Sequence, residues 1–242
     1  MKHLLYVSAV SLLLLWSAIS HAQPQAPAIL KASYVSTNLT PSMIAILRQQ
    51  IQSDEQFSAM TEKISRFRHY YSLYINTATN ESVFVLDSVA KESGVNIAGY
   101  VENAWCNQDG HFFCQEVFMR ESIEYSGRPE DVIWSLQEEV QFFQEKHCQK
   151  AIMERYPYVV AWYTTDIPLS KGPSSFIGLP GLVVSASDFF NTFDLYSLTT
   201  DCTFDDFERI AKTVRDIEAK CGQSFSDVLQ MKENVIRMMR KN

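Results

Sequence analysis

Residues 31–35 form a short apolar-rich stretch that reads as a first strand, and Thr40-Pro41 then marks a helix start: a capping hydroxyl followed by proline at the first helical position. Ile44, Leu47 and Ile51 recur at helical spacing, which predicts one helix reaching the region of Met60. The period then changes. Residues 66–75 and 81–87 predict two strands joined by the polar connection 76–80, an antiparallel hairpin. Val132, Trp134 and Leu136 alternate with polar neighbours. "HCQKAIMERYPYVVAWYTT" predicts two strands turned around residues 155–157, and residues 182–187 and 193–199 predict a further hairpin across 188–192. Helical spacing returns at the end, where Thr203 is a capping residue with Asp206 three positions on, and Phe207, Ile210, Val214 and Ile217 share one face. Ser226 is expected to cap a last helix with Val228, Met231, Val235 and Met238 as its buried stripe, methionines serving as core rather than as a ligand surface. The expected fold is α+β: a curved antiparallel sheet, a meander of hairpins shaped like half a barrel, with an N-terminal helix and two C-terminal helices packed on it.

The first residues change the picture of where this fold operates. Lys2 precedes an uncharged apolar run over residues 4–19 and then the small-residue pattern Ser20-His21-Ala22, which reads as a cleavable secretory signal peptide over residues 1–22. The run is shorter than a spanning helix requires, and no later stretch is long and apolar enough to replace it. No cysteine follows the site to receive a lipid, so the expected product is soluble, periplasmic or secreted, and a single domain over residues 23–242, with motif core 161–188 and helical part 203–242. The formal charge of −7 becomes −8 once Lys2 is removed. An acidic chain is a poor nucleic-acid binder.

All five cysteines, Cys106, Cys114, Cys148, Cys202 and Cys221, lie in the exported part, where disulfides are reasonable. Asp109-Gly110 signals a turn between two short strands and brings Cys106 and Cys114 near facing positions, the pairing expected first. Cys202 and Cys221 bracket a helical segment whose ends stand about 25 Å apart, beyond the roughly 7 Å that a disulfide tolerates. Cys148 is left as a partner for either, and one thiol stays free. Cys106, His111 and Cys114 could also be metal ligands, but no fourth ligand stands at characteristic spacing, so no metal is expected.

"AWYTTDIPLSKGPSSFIGLPGLVVSASD" packs Pro168, Pro173 and Pro180 with Gly172, Gly178 and Gly181 into fourteen residues framed by Trp162, Tyr163 and Phe176. Trp162-Tyr163-Thr164, Ile167-Pro168, Gly172-Pro173 and the hexapeptide Gly178 to Val183 resemble the signature of the GLPGLI family, exported proteins of gram-negative bacteria with uncharacterised function. The likeness extends over about residues 31–199 by pattern. It departs at Val183, where the family has isoleucine, and in the four cysteines besides Cys148. The resemblance implies export and a β-rich fold. It carries no activity and no catalytic residues.

Two readings of the loop follow from its residues. In the structural one, proline fixes φ, glycine takes positive φ, and Phe176 and Leu179 plug the end of the sheet while Asp166 caps a turn. In the functional one the ordered loop is a binding site and Asp166 contacts ligand. Enzyme constellations are missing: there is no GxSxG elbow, HExxH helix, P-loop or dinucleotide fingerprint, and no cofactor is implied. His69 reads as packed or surface, His147 and Cys148 point to opposite faces of a strand, and Glu138, Glu139 and Glu145 form a solvated acidic face. The expected function is a non-catalytic periplasmic binding or accessory protein for a lipid, peptide or envelope partner. The alternatives are a hydrolase with sequence-scattered residues and a structural partner of an outer-membrane assembly.

Overall fold

The predicted hairpins join one sheet. The computed structural model describes residues 28–143 and 145–241, and the expected signal peptide lies outside them. Strand β1 (Ile29–Thr37) is followed by helices α1 (Pro41–Gln50) and α2 (Asp54–Arg66). The strands β2 (Arg68–Asn76), β3 (Glu81–Ala90), β4 (Gly99–Cys106), β5 (Phe112–Phe118) and β6 (Glu121–Gly127) form one meander. A second comprises β7 (Trp134–Phe143), β8 (Lys146–Met153), β9 (Val160–Thr164), β10 (Leu182–Ser187) and β11 (Thr192–Cys202). Helix α3 (Phe204–Val214), the two-residue strand β12 (Gln223–Ser224) and helix α4 (Phe225–Met239) complete the described chain. The strand order is β12-β6-β5-β4-β3-β2-β1-β11-β10-β9-β8-β7, so β1 joins the two meanders and β7 and β12 are free edges. The sheet is open, the fold is α+β, and β12 with β6 is the parallel pair among antiparallel ones.

Ladder rows sort the residues onto two faces. Leu73, Phe84, Ala104, Cys114 and Tyr125 stand side by side in the main core. The next row, Tyr74, Val83, Trp105 and Phe113, faces the other way and is covered by Phe207, Ala211, Val214 and Ile217 from α3 and the turn after it. The central strands are therefore covered on both faces, which is why β2 reads as an almost unbroken buried run instead of a strict alternation.

Local signals held where a side chain touches its own helix. The Thr40 hydroxyl accepts from Met43 N at 3.1 Å, and Thr203 with Asp206 forms a reciprocal cap. The single helix expected to reach Met60 is two: the Ser53 hydroxyl accepts from Gln56 N at 3.3 Å and starts α2 afresh. Helix α4 is capped by Ser224 rather than Ser226. Starting two residues early sets Phe225 against Phe112, 5.1 Å between ring centroids. The buried stripe is then Phe225, Val228, Leu229, Lys232 and Ile236, with Met238 exposed.

The expected disulfides are absent, all five cysteines being free. The β4–β5 hairpin sets Cys106 opposite Phe112 and Cys114 opposite Ala104. The two residues are thus diagonal, with backbone positions about 7–8 Å apart by sheet geometry, beyond the roughly 7 Å between Cα atoms that a disulfide tolerates. Cys148 belongs to the main core, whereas Cys202 and Cys221 pack against the cluster under α3 on the other face, so Cys148 is separated from both proposed partners by the sheet.

Candidate functional site

The proline- and glycine-dense loop runs between β9 and β10 and is folded on itself. Leu182 N donates to Ile167 O at 3.0 Å, Val183 N to Lys171 O at 2.9 Å, and Gly178 N to the Ser170 hydroxyl at 3.0 Å. Trp134 Nε1 reaches Ile177 O at 2.8 Å and ties the loop to the edge strand. Phe176, Ile177 and Leu179 are buried, and the Phe176 ring packs on Trp134 and Phe193. Pro173 is buried and Pro180 exposed.

The glycines differ from the expectation of uniformly positive φ. Gly178 has φ of 83° and an exposed position. Gly172 and Gly181 are needed for close approach instead: a Cβ on Gly181 would lie 1.9 Å from Thr164 O, and one on Gly172 would lie 2.5 Å from Phe176 O. Tyr163 is buried with its hydroxyl on Gln149 Oε1 at 2.8 Å. Trp162 is only half-buried, on the opposite face, beside Phe143 and under the Lys150 ammonium, so it is not the core anchor that its size suggests.

The first part of the loop does something else. Asp166, Ile167, Pro168 and Leu169, with Leu30 and Leu198, line a pocket of about 380 Å³ at the end of β1 and β11. Its walls are mainly apolar, with Thr77, Thr200 and the exposed Asp166 as polar groups. Asp166 does not cap the turn. Its own N–H is held by the Thr164 hydroxyl at 3.3 Å, which leaves the carboxylate free of any turn role.

Two polar groups of the loop point inward, and neither was legible beforehand. Lys171 Nζ donates to Cys106 Sγ at 3.0 Å, and the Ser174 hydroxyl lies 3.7 Å from Cys114 Sγ. Beyond Cys114 the core holds a charged cluster. Lys232 Nζ contacts Glu116 Oε2 at 2.6 Å and Asp188 Oδ2 at 3.1 Å, while the Tyr125 hydroxyl donates to Glu116 Oε1 at 2.5 Å. Burial opposes the Lys232 charge, but the Asp188 and Glu116 carboxylates outweigh it and hold the ammonium above its ordinary range. Asp188 Oδ1 also accepts from Phe190 N and Asn191 N. Every carboxylate oxygen of the cluster has a donor and the charged side chains are at most 10% exposed, so the arrangement clamps α4 to the sheet and offers no substrate access.

A second cleft of about 500 Å³ lies between the segment before β7, the β8–β9 turn and α4, and Glu130, Asp131 and Glu154 line it with Arg155. Arg155 is engaged by the Ser226 hydroxyl and Gln230 Oε1, and Asp131 accepts from Arg128 N. No histidine joins these carboxylates. His69 is stacked on Tyr100, His147 packs against Phe142, and His111 closes the β4–β5 turn. Glu139 forms a surface pair with Lys150 at 2.9 Å. Among the described residues no group of three or more His, Cys, Asp or Glu could hold a metal ion.

A search of curated proteins finds no match to this chain. Solved structures of PNGF-II in two crystal forms are similar to it at 12% identity, with TM-scores of 0.44 and 0.45 over 75% and 78% of this chain. The chain spans less than a third of their length, 30% and 32%. A family model described as "Protein of unknown function (Porph_ging)" matches residues 110–185, the span that runs from the β4–β5 turn through the motif loop into β10.

Proposed function

We propose that this is an exported, non-catalytic binding protein of the GLPGLI type, in which the motif loop presents a pocket to the apolar group of a lipid or peptide. One observation carries the reading: the loop divides its labour. Residues 171–181 are mostly buried and close the core, while Asp166 to Leu169 line an open, largely apolar pocket of about 380 Å³. A rigid inner half holds the outer half in place without a ligand, which lowers the ordering cost of binding. Asp166 at the wall suits a ligand that carries a hydrogen-bond donor or a positive charge beside its apolar part.

The half-barrel shape belongs to the same proposal and has its own support. Strands β6 and β7 stand ten positions apart in the sheet order, about 48 Å in a flat sheet. Only residues 128–133 connect them, and that segment spans at most about 25 Å when extended. A strongly curled sheet brings its ends within that reach.

The test is native mass spectrometry of protein purified from the cell envelope, wild type beside Leu169→Arg. A bound species carrying an apolar chain or side chain is expected in the wild type and absent from the variant, with melting temperatures within about two degrees of each other. The same species retained by both would refute the pocket. An accessory role beside a partner protein is the second reading, favoured by the exposed Leu136, Val140 and Phe142 on the free edge β7. Under that reading Phe142→Lys, rather than Leu169→Arg, abolishes co-purification.

A further inference from the structure

Lys171 and Lys232 are both buried, at 2% exposed each, yet their surroundings differ. Lys232 has two carboxylates. Lys171 forms no ion pair among the described residues, and its Nζ is directed at a single group, Cys106 Sγ, 3.0 Å away and itself 5% exposed. An amine buried against sulfur alone is costly, and an apolar side chain would fill the space without that penalty. Packing gives no reason for a lysine here, whereas chemistry between nitrogen and sulfur does.

We propose that Cys106 and Lys171 form an oxidative cross-link site, in which a peroxide converts their contact into a sulfur–nitrogen bond that ties the motif loop to β4. In the first step the thiol sulfur attacks one oxygen of hydrogen peroxide. The S–O bond forms, the O–O bond breaks, sulfur is oxidised by two electrons to a sulfenic acid, and water leaves. In the second step the Lys171 amine, having released the ammonium's additional proton to solvent, attacks that sulfur. The S–N bond forms, the S–O bond breaks, and the departing hydroxyl takes one of the two protons on nitrogen as a second water, the other staying on the sulfenamide nitrogen. The product is a sulfenamide, the same condensation that a sulfenic acid undergoes with a backbone nitrogen, here with a side-chain amine. A thiol reductant reverses it by attack on sulfur.

The geometry favours this outcome over the competing ones. Backbone bonds on both sides of Lys171, from its own N to Leu169 O at 2.7 Å and from Val183 N to its O at 2.9 Å, hold it in place, while Cys106 is locked in the ladder opposite Ser82 and Phe112. The neighbouring Gly172 packs so closely on Phe176 O and Val183 that a Cβ there would clash with both. Two fixed reactants in contact react as an intramolecular pair, at an effective concentration no free thiol matches. Cys114 is the nearest rival for the sulfenic acid, but it stands diagonally across the hairpin and is turned towards Ser174.

The experiment exposes the folded full-length protein to hydrogen peroxide, quenches it, and maps tryptic peptides without reductant. The expected result is a peptide pair joining Cys106 to Lys171, two hydrogens lighter than the sum of its parts. Trypsin should not cut after Lys171, dithiothreitol should restore both peptides, and the cross-linked protein should melt higher than the reduced one. Urea-unfolded protein given the same treatment should lack the pair. Lys171→Arg keeps a cation beside the sulfur and should give no link, and Lys171→Met, which suits an apolar core, should give none either. The half-buried Cys202 and Cys221 report that oxidant was sufficient. A Cys106–Cys114 disulfide, Cys106 oxyacids with Lys171 still cleavable, or an unmodified Cys106 in protein whose Cys202 and Cys221 are oxidised would each overturn the proposal.

Discussion

His69 is 1% exposed on β2, stacked on Tyr100 with 4.9 Å between ring centroids, and its Nδ1 has no hydrogen-bond partner. Burial therefore disfavours the imidazolium and lowers the pKa from 6.5 to about 4. Between those two values the unfolded chain binds a proton that the folded one refuses, so stability falls as the pH is lowered through that window and does not change with this group above it. The loss approaches about 3 kcal/mol at the acid end. Urea denaturation at about pH 7 and about pH 4.5 should show it, and His69→Phe should reduce the difference. At the two motif glycines, residue-scale sterics separate cases that look alike in the sequence. Gly181→Ala drives a Cβ into the Thr164 carbonyl and should cost several kcal/mol, about 3 or more, because Thr164 is backbone of β9 and Gly181 sits directly before β10, so neither can yield as a flexible side chain would. Gly178→Ala places an ordinary residue at φ of 83° with its Cβ in ordinary contact with Val132 O and the Trp134 ring, and should cost about 1 kcal/mol. Equal denaturation midpoints for the two variants would contradict this division.

Helix α4 shows what an element's pattern conveys and what it omits. Its spacing announces an amphipathic helix, but Val228, Met231, Val235 and Met238 fit one stripe as well as Phe225, Val228, Leu229, Lys232 and Ile236 fit another. Apolarity favours the first. The helix adopts the second because Glu116 on β5 and Asp188 in the β10–β11 turn supply the partners that make a buried lysine tolerable. Lys232→Ala leaves those two carboxylates buried without their cation and should destabilise the protein by about 3–5 kcal/mol. Lys232→Met combined with Glu116→Gln and Asp188→Asn removes the stranded charges and should recover much of that loss, as thermal and urea melts of the single and triple variants can establish.

For the whole molecule, α4 matters as cover for the main-core face of the open sheet. Phe225, Val228, Leu229 and Ile236 belong to the main core cluster, and at about 1.5–3 kcal/mol each they contribute about 6–12 kcal/mol. A domain's entire stability is about 5–15 kcal/mol. A chain ending at Gly222 also uncovers Phe112, Tyr125 and the Glu116–Asp188 pair. It should lose its cooperative melting transition and bind a hydrophobic dye in the absence of denaturant. A truncated chain that retains a sharp transition would show that the sheet stands without its helix.

The sequence by itself determined what neighbouring residues decide among themselves: the Thr40 and Thr203 caps, the hairpins around residues 76–80, 155–157 and 188–192, and the dense punctuation of the motif loop. In each the governing contact lies within a few residues along the chain, so spacing reports it directly. Tertiary structure decided whatever depends on which face meets which. It set the two-sided burial of the central strands, offset Cys106 from Cys114 by two residues along the same face of the hairpin, rotated α4 onto Lys232, and left Trp162 half-buried at the margin of the core while Lys171 went in. The pocket beside Asp166 belongs to this second group, since Leu30 and Leu198 reach it from strands far away in the chain. A side chain's own chemistry leaves both faces open to it, and partners brought in by the fold, Glu116 for Lys232 and Cys106 for Lys171 among them, settle the choice by burying one of them.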